Sequence, residues 1–193
     1  MLLGLLTFAA KASANSIING GFETGNFTGW TVDQASTGSL LFVSGHSHSG
    51  ADAAWFGALG GRDDSLSQSF GTEQGETYVV TFWLGHGATD ASNDFTVWWD
   101  NTPLLTLTNA VKFGYRQYSF ITTALDDLTT LRFSSRERLS YYYLDDVSVE
   151  YVGGISAADL APIPTPEPAT IALLLGGLVA VTSRARAARR RAL

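Results

Sequence analysis

No cysteine occurs in the 193 residues. That excludes disulfide staples and thiolate metal sites, and leaves packing, hydrogen bonds and hard-ligand ions to stabilise a fold. Catalytic signatures are missing too. The chain has no G-x-S-x-G elbow and no H-E-x-x-H pair, and its adjacent acids Asp63-Asp64 and Asp126-Asp127 fall in turn-like stretches, where they cap and solvate. A glycosidase needs two carboxylates facing one another at roughly 5–10 Å, and sequence spacing establishes no such pair. The expectation is a protein that is not an enzyme. Histidine is limited to His46, His48 and His86. His46-x-His48 lacks the further ligands of a zinc site, so all three read as surface-loop residues. Neither a nucleotide-binding glycine loop nor a repeat of about 20–50 residues is present.

Basic charge ahead of the first apolar stretch is also absent. Residues 2–10 form the apolar region of an export signal, and Ala12-Ser13-Ala14 is a signal-peptidase site that puts the mature start at Asn15. Lys11 follows the apolar run instead of preceding it, which a start further upstream or a weak basic region accounts for. At the other end, residues 169–181 supply thirteen apolar or small residues. A comfortable helical span needs about 20, so Thr182, Ser183 and snorkelling arginines must extend this one. Arg184, Arg186, Arg189, Arg190 and Arg191 stay cytoplasmic, which orients the helix and leaves the preceding chain outside.

What precedes that helix is Pro166-Glu167-Pro168, which cannot be helical throughout because proline fixes φ and biases its predecessor toward extended conformations. Motif, short helix and arginine cluster in this order resemble the PEP-CTERM sorting signal of Gram-negative bacteria. The resemblance covers residues 166–193. It implies an exosortase that cleaves near the motif, a transient stay in the inner membrane through residues 169–183, and release or transfer to the cell surface.

Between the signals lie residues 15–152, read as one domain, and residues 153–165, a linker rich in Gly, Ala, Ser and Pro. Five of the chain's twelve basic residues sit in the tail; removing these and Lys11 leaves six, against seventeen acids once Glu167 is set aside, a net charge near −11. So acidic a body argues against nucleic acid or anionic lipid as a partner and suits calcium or a neutral glycan. Short alternating segments rich in β-branched and aromatic residues predict strands over 39–44, 53–56, 66–70, 77–84, 94–100, 104–108, 115–122, 129–134 and 141–152. Turn-forming clusters separate them, which predicts an all-β antiparallel sandwich.

Asn19-Gly20-Gly21-Phe22-Glu23 with Gly29-Trp30 opens this body, and Tyr143-Leu144-Asp145-Asp146-Val147-Ser148-Val149 closes it. The pair resembles carbohydrate-binding modules with a galactose-binding-like jelly roll, and it also recurs in PEP-CTERM surface proteins. The resemblance implies first and last strands side by side, joined by a structural Ca²⁺ on Glu23, Asp145 and the Gly21 carbonyl, with help from the 48–51 loop. Two-residue alternation puts Asp145 on the core face with Val147 and Val149, and turns Asp146 outward. A second candidate site is aromatic. Alternation within 77–84 and 94–100 sends Trp83 and Trp98 to a half-solvated face with Thr81, Thr96 and Asp100, and Arg132 and Ser134 can join it. An exposed indole beside hydrogen-bonding groups suits a pyranose, whereas tryptophans of sandwiches otherwise serve packing. Three function classes stay open: an exosortase-sorted, non-catalytic surface or matrix protein of an exopolysaccharide-rich envelope, a glycan-binding module, and a small glycoside hydrolase.

Overall fold

The computed structural model describes residues 15–34, 39–58, 62–87 and 92–152. The expected export signal, linker and sorting signal lie outside the described residues. Within the described residues ten strands follow one another: β1 (Thr31–Asp33), β2 (Leu40–Ser44), β3 (Ala53–Gly57), β4 (Asp64–Gly71), β5 (Thr77–His86), β6 (Asn93–Trp99), β7 (Thr102–Thr108), β8 (Phe113–Thr123), β9 (Leu128–Glu137) and β10 (Tyr142–Tyr151). They form two five-stranded sheets, β1-β4-β9-β6-β7 and β2-β3-β10-β5-β8. Every pairing is antiparallel. We call the first the β9 sheet and the second the β10 sheet, after their central strands.

Alternation decides which side chains go inside. On β5, Tyr78, Val80, Phe82 and Leu84 are buried, and on β6 Phe95, Val97 and Trp99 are. The two inner faces meet through rings: Phe82 packs edge-on against Phe133 with centroids 5.4 Å apart, and Phe56 against Phe95 at 5.5 Å. Fully buried rings of this size stabilise a core by about 1.5–3 kcal/mol each relative to exposure, which is what a cysteine-free domain relies on.

Two features of the architecture differ from the expectation. The first strand, β1, belongs to the β9 sheet, so it does not lie beside β10. The stretch just ahead of it does. β3 pairs with β10 only over Tyr142–Leu144; beyond that point Val147 N–H donates to Gly20 O and Ser16 N–H to Val149 O, both at 2.9 Å. The second difference is a bulge in β10 between Asp145 and Ser148. Tyr142 and Leu144 point inward before it, and Val147 and Val149 after it. The inserted residue breaks the two-residue phase, so Asp145 pairs with Trp83 and, as expected, is fully buried, but beneath the loop at His48 and Ser49 instead of in the core between the sheets.

His86 is not a loop residue. It ends β5 fully buried, with Nε2 2.6 Å from Glu137 Oε2 and its ring stacked on Tyr142 at 4.1 Å. The other oxygen of Glu137 accepts the N–H groups of Leu139 and Ser140, so this buried pair holds the turn that delivers Tyr141 and Tyr143 to the outer face.

Candidate functional site

The outer face of the β10 sheet carries a row of aromatic side chains that follows from strand register. Phe42 on β2 pairs with Trp55 on β3, Trp55 pairs with Tyr143 on β10, and Tyr143 pairs with Gly85 on β5. Tyr115 on β8 comes next, against Gly85. Trp55 is the hub. Its ring meets Tyr143 at 4.8 Å, Tyr141 at 5.0 Å and Phe42 at 5.4 Å, while its Nε1 donates to Gly45 O at 2.7 Å. A Cβ on Gly57 would stand 2.6 Å from the Tyr141 ring, and one on Gly87 2.8 Å from the Tyr143 hydroxyl. Glycine at those two positions lets the tyrosines lie close against the sheet. The result is a half-buried aromatic surface.

A loop borders this surface. His46 packs against Tyr143 at 4.5 Å, and Tyr115 Oη donates to the His46 carbonyl at 2.8 Å. Burial, reinforced by the charges of Asp145 and Asp146, pushes the Tyr115 phenol above its ordinary range and keeps that donor protonated. His48 lies flat on Trp83, 3.6 Å between centroids and 11° between planes, with Nδ1 2.6 Å from Asp146 Oδ2. Trp83 is therefore covered by an imidazole.

The opening and closing motifs hold that loop in place. Gly20 sits so close to the β10 bulge that a Cβ would stand 2.0 Å from Val147 O. Phe22, at φ 58°, turns into the core against Phe27 and Trp30, and Trp30 Nε1 donates to Asn19 O. Glu23 then projects under the loop and accepts the N–H groups of Ala51 and Asp52 at 3.0 and 3.1 Å. From the other side Asp145 Oδ2 accepts from His48 and Ser49 at 2.7 and 3.0 Å, and its Oδ1 from Asp146 at 2.7 Å. Burial raises the Asp145 carboxyl above the ordinary range, and these three donors pull against that rise.

Gly21, Glu23 and Asp145 thus come together: a Cβ on Gly21 would lie 3.8 Å from both Asp145 Oδ1 and Glu23 Cγ. The site is an acid-and-amide clamp. Among the described residues no group of three His, Asp or Glu side chains stands at metal-ligating geometry, so an ion here would need backbone carbonyls and water beside the two carboxylates.

Trp83 and Trp98 do not share a face. Trp83 is on β5 of the β10 sheet and Trp98 on β6 of the β9 sheet, and each points away from the core. A joint platform is excluded. Trp98 does meet the other residues expected beside it. Arg132 holds its guanidinium 4.9 Å from the indole centroid, and Trp98 Nε1 donates to Ser134 Oγ at 3.1 Å. As members of an aromatic surface Trp55, Tyr141 and Tyr143 escaped the sequence reading, although their signal was present: in β3 and β10 both alternating sets contain aromatics.

No family model matches the chain, and no curated protein does. Solved structures do. TmCBM61 in complex with β-1,4-galactotriose is similar at TM-score 0.55 and 19% identity, over 72% of this chain and 99% of that one. The CBM22-1 xylan-binding domain of Paenibacillus barcinonensis Xyn10C is similar at 0.51 and 19%, over 75% and 98%. The fold is that of these carbohydrate-binding modules. The enzymatically active domain of bacteriophage CBA120 tailspike protein 4 also matches, at 0.57 and 14% identity over 72% of this chain. This chain spans only 21% of that tailspike chain.

Proposed function

We propose that the protein is an exported, non-catalytic glycan-binding protein, and that its glycan lies across Trp55, Tyr141 and Tyr143 on the outer face of the β10 sheet. One observation carries the reading: a register-built row of aromatic rings on a fold shared with a module seen with β-1,4-galactotriose and with a xylan-binding domain. Sugar rings stack on such surfaces through their C–H faces, while their hydroxyls reach the rim. Export and surface display are supported by residues 1–14 and by the PEP-CTERM-like residues 166–193, with exosortase as processing partner and exopolysaccharide as the glycan at hand. Among the described residues no helix is long and apolar enough to cross a membrane. Calcium belongs to this proposal as a structural ion on Glu23, Asp145 and the Gly21 carbonyl, where it would fix the loop that borders the aromatic row.

The test is a glycan array followed by titration of the strongest neutral oligosaccharide, xylohexaose and β-1,4-galactotriose included. Trp55→Ala is expected to weaken binding at least tenfold with the cooperative melt preserved, since the half-buried indole contributes less than the roughly 3–5 kcal/mol of a core tryptophan. Unchanged affinity in a folded Trp55→Ala protein would overturn the proposal.

A further inference from the structure

The β9 sheet shows the opposite chemistry on its outer face. Register aligns Asp33, Ser65, Ser134 and Thr96 across β1, β4, β9 and β6, and Thr31, Ser67, Arg132 and Trp98 in the row beside it. Hydroxyls and charges replace rings, with one indole among them. A recess of about 420 Å³ opens there, lined by Asp33, Arg62, Asp63, Ser65, Trp98, Arg132 and Ser134. Among the described residues the ion pairs of this face are Arg62–Asp33 at 3.2 Å and Arg136–Asp94, and Arg132 belongs to neither. Arg132 is half-buried, its guanidinium lies over Trp98, and the residue lines the recess. A guanidinium pre-positioned by stacking loses little freedom on meeting a planar oxyanion, and a carboxylate matches its fork.

We propose that this recess is a second saccharide site, on the opposite side of the sandwich from the aromatic row, and that it takes a sugar residue carrying a carboxylate, a uronic acid. The carboxylate pairs with Arg132, and the ring hydroxyls meet Ser65, Ser134 and Asp63. The body's charge near −11 repels a densely charged polyanion, so the site selects an isolated uronate within a mostly neutral polysaccharide. The inference rests on the glycan-binding reading above, and with both sites occupied one protein would bridge two polysaccharide segments.

Methyl glucuronoside and methyl glucoside form a matched pair that differs only at the carboxylate. Each is titrated into the full chain while the indole N–H resonances of Trp98 and Trp55 are followed. The glucuronoside is expected to move Trp98 with at least tenfold higher affinity than the glucoside. Arg132→Gln should abolish that preference, and Arg132→Lys should lose most of it, because charge without the fork is insufficient. Equal affinities at Trp98, no movement of Trp98 with either sugar, or a preference that survives both folded variants would overturn the site. Neutral oligosaccharide binding, read at Trp55, reports separately on the aromatic row and should be indifferent to Arg132→Gln.

Discussion

Asp63 stands beside Asp94 and Arg136 at the edge of the β9-sheet recess. Burial raises its carboxyl above the ordinary value of 3.8, and the Asp94 charge adds to the rise against a smaller opposing pull from Arg136. The sign is the reverse of the usual carboxylate case. Because the folded state holds this proton more tightly than the unfolded state, the contribution of Asp63 to stability falls as pH climbs through the acid range. Asp63→Asn has no proton to lose. Its melting temperature should match wild type near about pH 3 and exceed it by a margin that grows with pH and levels off before neutrality. A margin that shrinks with pH would show that the pairing with Arg136 dominates. At this scale much was legible in sequence. Gly21, Glu23 and Asp145 do converge, because the opening and closing motifs encode a chain crossing: Gly20 admits Val147 O, Phe22 plugs the core and Glu23 reaches the loop. What stayed hidden was the partner of each acid, since backbone N–H groups leave no mark on residue identity.

The bordering loop over residues 45–52 is held by two carboxylates, Asp145 at its middle through His48 and Ser49, and Glu23 at its C-terminal end through Ala51 and Asp52. If calcium joins that clamp, ions that bind only the folded protein raise its stability by RT ln(1 + [L]/Kd), about 2.7 kcal/mol at a hundredfold excess over Kd. Millimolar calcium should then raise the melting temperature of wild type and leave Glu23→Gln unmoved; a wild-type melt identical in calcium and in chelator would remove the ion from the account. Strands were the most legible elements. Nine expected segments each overlap a strand, because alternation marks a sheet with one wet face. β1 was missed because three exposed residues carry no alternation to read. The orientation of Asp145 was missed for a different reason: a one-residue bulge resets the phase, and nothing in Leu-Asp-Asp-Val announces it. Sequence also could not tell that β5 and β6, consecutive along the chain, enter different sheets, and that alone separated Trp83 from Trp98.

At the scale of the whole molecule, the two outer faces differ in chemistry. One is a row of rings on the β10 sheet; the other is a polar recess with a stacked guanidinium on the β9 sheet. Between them lies a core dense in aromatic contacts, built without disulfides or helices among its described residues. On the proposed function, pre-formed faces of this kind would bind without first ordering themselves, so contacts to surface aromatics would carry little entropic loss. The central claim is that glycan lies on the row built around Trp55. The measurement that tests it most directly is a crystal structure of the protein with a neutral oligosaccharide bound. The account predicts sugar rings in van der Waals contact with Trp55 and Tyr143, across β3 and β10. An oligosaccharide seated elsewhere, with the Trp55 row bare, would contradict it.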